Sequence, residues 1–218
     1  MDSARNWKIK SMMMVAMIII VDQLSKVTVL KTMYRGQSIS VFGDWLKLTF
    51  IENPGMAFGI QFGPPALISI FSIVATILII VYLYRVGGMF RPYRISLSMV
   101  LGGAIGNIID RVFYGKILHD DPYFLGKVVD FIHINVWRGM VPEAIPFLGG
   151  KYLALFPIWN VADMAIVLGV VGIISYQRRF HTVVEESLLN ARSDSSLSEG
   201  ATTSPSETSS EGEDAGKE

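Results

Sequence analysis

The sequence predicts a mainly α-helical, polytopic membrane protein. Four transmembrane helices carry a small β-sheet and loop at the outer membrane face, and a disordered C-terminal tail follows. Three observations predict this. Apolar residues make up 51% of the 218-residue chain and charged residues only 17%, with a mean hydropathy of +0.43; soluble domains carry about 25% charged residues. The apolar runs are also long. Residues 66–84 contain no charge, enough to cross a hydrocarbon core of about 30 Å. Finally, charge is segregated. Residues 183–218 hold 9 acidic and 2 basic side chains, net −7, whereas residues 1–182 hold 17 basic and 10 acidic, net +7. The chain therefore divides into a membrane domain, 1–182, and an acidic Ser/Glu-rich tail, 183–218. The tail has too little apolar surface to offset the entropy of ordering. There is no cysteine, which excludes disulfides, thiol catalysis and any cysteine-ligated metal.

The first span covers about 11–30. Met12 to Val21 is wholly apolar, and then Asp22, Gln23 and Lys26 interrupt. A secretory signal peptide also has a basic start and a short apolar core. No small-x-small cleavage site follows here, and polar residues fall inside the run, so it reads as a span. From Asp44 to Ile51, apolar Leu46, Leu48 and Phe50 alternate with Trp45, Lys47 and Thr49, a period of two that predicts a strand. Asn53, Pro54 and Gly55 favour a turn. Spans two and three follow at about 64–84 and 95–113. Val128 to Ile134 is rich in β-branched residues and predicts a second strand. Residues 135–152, with Gly139, Pro142, Pro146, Gly149 and Gly150, read as a loop. The fourth span is about 159–177.

Lysine and arginine set the orientation. Arg5, Lys8 and Lys10 precede span one; Arg85, Arg91 and Arg94 lie between spans two and three; Arg178 and Arg179 follow span four. These regions share one side, which the rule makes cytoplasmic. Both termini are then cytoplasmic, and 31–63 and 114–158 face outward.

Acids in such spans need an explanation. A carboxylate at the centre of a spanning helix costs about 2.5–3.5 kcal/mol on insertion scales, so it faces a partner or a site. Asp22 and Lys26 are four apart. Asn107, Asp110 and Arg111 stand at i, i+3 and i+4. Asn160 and Asp163 are three apart at the start of span four. Each set shares a helix face near the predicted outer end of its span, beside the strand carrying Asp130. A shared polar pocket follows if the faces meet. The plainer readings are ion pairs, Asp22 with Lys26 and Asp110 with Arg111, that only hold helices together. Gly102-x-x-x-Gly106 reads as a packing motif. His119 and His133 lack the spacing of a metal site. A proton-coupled transporter would use the same acids as a relay, but it needs a polar path across the whole membrane. These residues cluster at one end. A non-enzymatic scaffold leaves two acids without basic partners.

Taken together, five segments resemble the lipoprotein signal peptidases (signal peptidase II). They are Asp22-Gln-Leu-Ser-Lys26, Asn53-Pro-Gly-Met-Ala-Phe-Gly59, Gly106-Asn-Ile-Ile-Asp-Arg111, Val128-Val-Asp-Phe131 and Phe156-Pro-Ile-Trp-Asn-Val-Ala-Asp163. They come in the family's order over about 10–180. Trp159 stands where the family often has Phe, and 135–152 looks longer than the family's short form. The resemblance implies an intramembrane aspartic endopeptidase of the bacterial inner membrane with Asp130 and Asp163 as the catalytic pair. It implies cleavage of prolipoproteins just before a diacylglyceryl-modified cysteine. Asn53, Asn107, Arg111 and Asn160 would supply donors to the substrate, and Asp22, Lys26 and Asp110 would brace the scaffold. No metal, cofactor or nucleic acid is required. The expected partners are the prolipoprotein and membrane lipids, and the expected state is a monomer.

Overall fold

The computed structural model describes residues 2–57, 60, 61, 64–136, 138–140, 142–144, 149, 150, 152–154 and 156–202. In chain order the elements are α1 (Asp2–Thr32), β1 (Ser38–Phe42), β2 (Leu46–Asn53), β3 (Met56–Ala57), β4 (Ile60–Gln61), α2 (Pro65–Val86) and α3 (Arg91–Ile109). A π-helical turn (Asp110–Tyr114) then leads to α4 (Gly115–His119), β5 (Val128–Ile134), β6 (Arg138–Met140), β7 (Tyr152–Ala154), β8 (Ile158–Trp159) and α5 (Val161–Thr202). Four stretches are long and apolar enough to cross a membrane: Asn6–Thr32, Ala66–Val86, Arg91–His119 and Val161–Asn190. They match the four predicted spans; the first and third are longer at both ends, and the second and fourth start two residues later and end later. Pro65 and Pro92 stand in the first turns of α2 and α3, where a missing N–H breaks no helical bond. Met12, Phe71, Leu78, Leu168 and Ile174 are more than half exposed, as side chains facing lipid are.

Glycines bring the helices together. A Cβ at Gly102 would stand 2.9 Å from Ile18 Cβ, and one at Gly106 would stand 2.7 Å from Asp22 Oδ2. The Gly102-x-x-x-Gly106 motif is therefore the seam between α3 and α1, as expected of small residues at a membrane helix interface. It also sets the depth at which Asp22 meets α3.

The two predicted strands are β2 and β5, and they pair antiparallel with Ile51 opposite Asp130 and Asn53 opposite Val128. The sheet is larger than expected. Its order is β1-β2-β5-β8, with β1 and β8 too short or too weakly patterned to stand out in sequence. Phe50, Val129 and Phe131 pack on Val29, Met33 and Tyr114 at the end of α1 and the π-helical turn. Side chains alternate across a strand. Val129 and Phe131 thus face this core, and Asp130 between them faces the other way.

One expectation is corrected. The segment 135–152, read as a loop, contributes a two-stranded ribbon in which Arg138 pairs with Ala154 and Met140 with Tyr152. Trp137, Pro146 and Lys151 lie outside the described residues, as do Phe58 and Gly59 of the Asn53 motif. The chain also forms two compact units that divide between Gln177 and Arg178. In the second, α5 continues to Thr202, so the acidic tail expected from 183 begins on a helix. Glu185, Glu186, Leu188, Leu189 and Arg192 are good helix formers. They extend an existing helix, which avoids the cost of nucleation. Residues 203–218 lie outside the described residues.

Candidate active site

Asp130 and Asp163 converge on Asn160. The Asn160 side-chain oxygen accepts the Asp163 backbone N–H at 2.8 Å, and Asp163 Oδ2 accepts the Asn160 N–H at 3.3 Å. This reciprocal cap starts α5, as the spacing predicts. Because the oxygen is committed to the cap, the amide nitrogen must point elsewhere. It donates to Asp130 Oδ1 at 2.6 Å and to Asn107 Oδ1 at 3.2 Å. One residue therefore touches both carboxylates, Asp130 through its side-chain amide and Asp163 through its backbone N–H.

Asn53 is oriented in the same way. Its oxygen accepts the Gly55 N–H at 2.9 Å, leaving its amide nitrogen to donate to Asp130 Oδ2 at 3.0 Å. Gly55 takes φ +107°, and a Cβ there would overlap Ile68. The Asn-Pro-Gly turn is thus real, and it also serves the site. Asn53 and Asp130 sit on neighbouring strands as diagonal neighbours on one face.

Asp130 is buried and lies outside the spanning segments. Burial pushes its carboxyl up from 3.8 to about 7, and the nearby Asp163 carboxylate adds to the rise. The hydrogen bonds from Asn53 and Asn160 and the charge of Lys26 oppose it. Desolvation and a like charge both disfavour the ionised form.

Behind the pair lies a buried charge cluster. Lys26 Nζ is 2.8 Å from Asp22 Oδ2 and 2.8 Å from Asp110 Oδ2, with all three side chains fully buried. It also donates to Asn107 Oδ1 at 3.1 Å. An ammonium offers only donors, so Asn107 must turn its oxygen to Lys26. Its amide nitrogen then donates to Asp163 Oδ1 at 2.8 Å. Asp22 Oδ1 accepts the Ala162 N–H at 2.9 Å, and Asp110 Oδ2 accepts the Val129 N–H at 3.2 Å. The cluster therefore ties together the elements that carry both carboxylates.

The Asp22–Lys26 pair is as expected, but Asp110 pairs with Lys26 rather than Arg111. Among the described residues no ion pair joins Asp110 and Arg111. The π-helical turn explains this. It releases the Arg111 carbonyl to accept Gly126 N–H at 2.9 Å and the Val112 carbonyl to accept Phe124 N–H at 3.3 Å, and Arg111 leaves the α3 face. Its Nη1 is buried without a hydrogen-bond partner, within electrostatic reach of Asp130 and Asp163. Such bulges are frequent at functional sites.

Sequence reasoning left Gln23 out of the site. Its amide nitrogen reaches Asp22 Oδ2, the Gly106 carbonyl and Asp110 Oδ1 at 3.1, 3.2 and 3.0 Å, and its oxygen accepts Tyr114 Oη–H at 2.9 Å. Its place one residue after Asp22 was the only signal. Glu52 was missed too; Arg35, His119 and Lys127 surround it at 3.5, 3.0 and 3.8 Å. His133 bonds to Thr49 Oγ1 at 2.8 Å. A cleft of about 280 Å³ opens beside Asp163, walled by Asn53, Pro157, Trp159, Ile166 and Val167. Trp159 is thus a wall of the cleft.

This geometry can be set beside known proteins. The family model described as signal peptidase (SPase) II matches residues 14–178. The chain belongs to the signal peptidase II family. A lipoprotein signal peptidase of Amoebophilus asiaticus is 40% identical over 79% of this chain and 78% of its own. One of Porphyromonas gingivalis is 35% identical over 72% and 78%. Two solved structures, each titled a bacterial membrane enzyme structure by the in meso method, align with TM-scores of 0.58. One is 26% identical and covers 78% of this chain and 88% of its own; the other is 28% identical and covers 77% and 92%. The chain is thus a peptidase and a multi-pass bacterial membrane protein.

Proposed function

We propose that this peptidase removes the signal peptide from diacylglyceryl-modified prolipoproteins, cutting before the lipidated cysteine with Asp130 and Asp163 as an aspartic pair. The observation that carries the reading is that Asn160 bonds to both carboxylates, Asp130 through its side-chain amide and Asp163 through its backbone N–H. Two acids held this close share a proton. Asp130, with its raised carboxyl, holds it. Asp163 lies in the first turn of α5, where the helix dipole favours charge, and is the initial base.

Asp163 takes a proton from a water as that water's oxygen attacks the scissile carbonyl. Asp130 gives its proton to the carbonyl oxygen, forming a tetrahedral diol. On collapse the C–N bond breaks, one diol hydroxyl returns its proton to Asp130 as the C=O re-forms, and the proton gained by Asp163 passes to the leaving nitrogen. The labels belong to the coupled pair as much as to either residue. Arg111, with a free buried N–H, is placed to donate to a substrate carbonyl. The apolar walls of the cleft suit acyl chains, whose burial contributes about 0.8 kcal/mol per CH₂.

The pH dependence has a definite sign. Asp130 is protonated below about 7 and ionised above it, so kcat/KM of the free enzyme falls as pH rises past 7, by about tenfold per unit. A rate that keeps rising to pH 9 would remove Asp130 as the acid. Stability is linked to the same shift. The folded carboxyl binds protons more tightly than the unfolded one, so this contribution is present below the unfolded value and is lost as pH rises to about 7.

The decisive assay offers the purified protein a lipidated and an unlipidated precursor. Only the lipidated one should be cleaved. Equal rates on both would refute the substrate class. We place the catalytic unit in 1–182 as a monomer, so a chain truncated there should cleave the lipidated precursor as the whole chain does. We also place both termini in the cytoplasm and the carboxylates near the outer face. Reporters fused at residues 88 and 140 should then report opposite sides, and the same side for both would break this topology.

A further inference from the structure

A second cavity lies at the far end of the spans. It is a groove of about 470 Å³ between the first turns of α1 and the last turns of α2, floored by α3 at Leu101. Lys8 at its mouth is fourteen residues from Asp22, about 21 Å along a helix, so the groove is separate from the carboxylates. We propose that it holds one anionic diacyl phospholipid from the surrounding bilayer, with an acyl chain along the groove and the headgroup phosphate at Lys8. The proposal rests on the membrane spans, not on the peptidase mechanism.

The walls fit an acyl chain. Val15, Ile19 and Ile80 line the groove, and among the described residues no acidic one does. From Trp7 to Ile19 it runs about 18 Å, close to half of a hydrocarbon core of about 30 Å. That is the reach of one leaflet.

The mouth adds polar groups that an apolar chain alone does not satisfy. Ser11 lines the groove and is 6% exposed, and its hydroxyl has no hydrogen-bond partner. Buried hydroxyls are nearly always bonded, and one that is not calls for a partner. Ser11 stands one turn from Lys8, on the same face. A phospholipid brings ester and phosphate oxygens to that depth. The Lys8 ammonium lies 4.3 Å from the Tyr84 ring centroid and makes no ion pair among the described residues. Lys10, Arg85, Arg91 and Arg94 add positive charge at the same end of the spans, so the field favours an anionic headgroup over a zwitterionic one.

The mouth is also preformed. Trp7 covers the Gly87–Gly88 turn between α2 and α3, where a Cβ would stand 2.6 and 3.2 Å from the indole. The Arg94 guanidinium sits 6.0 Å from the Trp7 ring and donates to the Gly87 carbonyl at 3.1 Å. Aromatic and basic anchors at one level are what membrane interfaces select.

The test measures bound lipid mass, so a failed cleavage assay leaves it untouched. Delipidated protein is mixed with equal phosphatidylglycerol and phosphatidylcholine and examined by native mass spectrometry. The wild type should retain phosphatidylglycerol by about fivefold or more over phosphatidylcholine, the worth of about one basic residue. Lys8→Gln should erase the preference, and Lys8→Arg should keep it. Ala16→Trp, which fills the groove, should exclude both lipids. Equal retention by the wild type, an unchanged preference in Lys8→Gln, or undiminished binding in folded Ala16→Trp would each overturn the proposal.

Discussion

Asp130→Asn and Asp163→Asn should each reduce cleavage of a lipidated precursor by about 10²–10⁴-fold, the range for losing a positioned acid or base. The double variant should be little worse than either single one, because residues that act as a unit are not additive. An amide is isosteric with the carboxyl but cannot exchange the proton. The cost to folding is smaller. Both Asp130 oxygens accept from asparagine amides, so an amide at 130 sets one N–H against another donor. At Asp163 the same conflict arises with the Asn107 amide or the Asn160 N–H. Each mismatch costs about 1–3 kcal/mol. Detergent size exclusion and circular dichroism would therefore still report folded protein. Near-normal turnover by either variant would remove that residue from the mechanism, and a double variant far worse than both singles would mean the two act separately.

The parts of this site that were legible in sequence are those set by local spacing. Asn160 and Asp163, three apart before an apolar run, predicted a shared face at the start of span four, and that spacing is the one a helix cap uses. Asp22 and Lys26, four apart, predicted their ion pair. The alternation around Leu48 and the β-branched run at Val129 predicted the two strands that join Asn53 to Asp130. What was not legible depends on reach between elements. Lys26 can turn to any acid its four-carbon stem meets, and only the depth set by the Gly106–Asp22 contact makes that acid Asp110. Asp110 and Arg111 are adjacent in sequence, but neighbours in a helix point about 100° apart, so adjacency makes no pair. Gln23 carried no pattern of its own. β8, two residues long, is made a strand by the edge of β5, not by its composition. The helix past Gln177 follows from the span it extends and not from its own composition.

The second large effect should come from Lys26→Met. Its ammonium sits between Asp22 and Asp110 at 2.8 Å from each, with all three side chains fully buried. Removing it leaves two buried carboxylates facing each other without a cation. Breaking a buried pair in this way costs about 3–5 kcal/mol, a large share of a typical total of about 5–15 kcal/mol. The loss should appear as a marked fall in the thermal unfolding midpoint in detergent. Activity should fall as well, even in the fraction that stays folded, because Asn107 loses the donor that fixes its amide toward Asp163. A triple variant separates the two consequences. With Asp22→Asn and Asp110→Asn added, no buried charge is left unpaired, and much of the midpoint should return, since buried ion clusters can be replaced by neutral groups at little net cost. Activity should not return in full with it, because only the longer 3.2 Å bond from Asn160 then turns the Asn107 amide toward Asp163. A Lys26→Met protein with an unchanged midpoint would show that the cluster braces nothing. A triple variant that regained full cleavage along with stability would show that Lys26 does not orient Asn107.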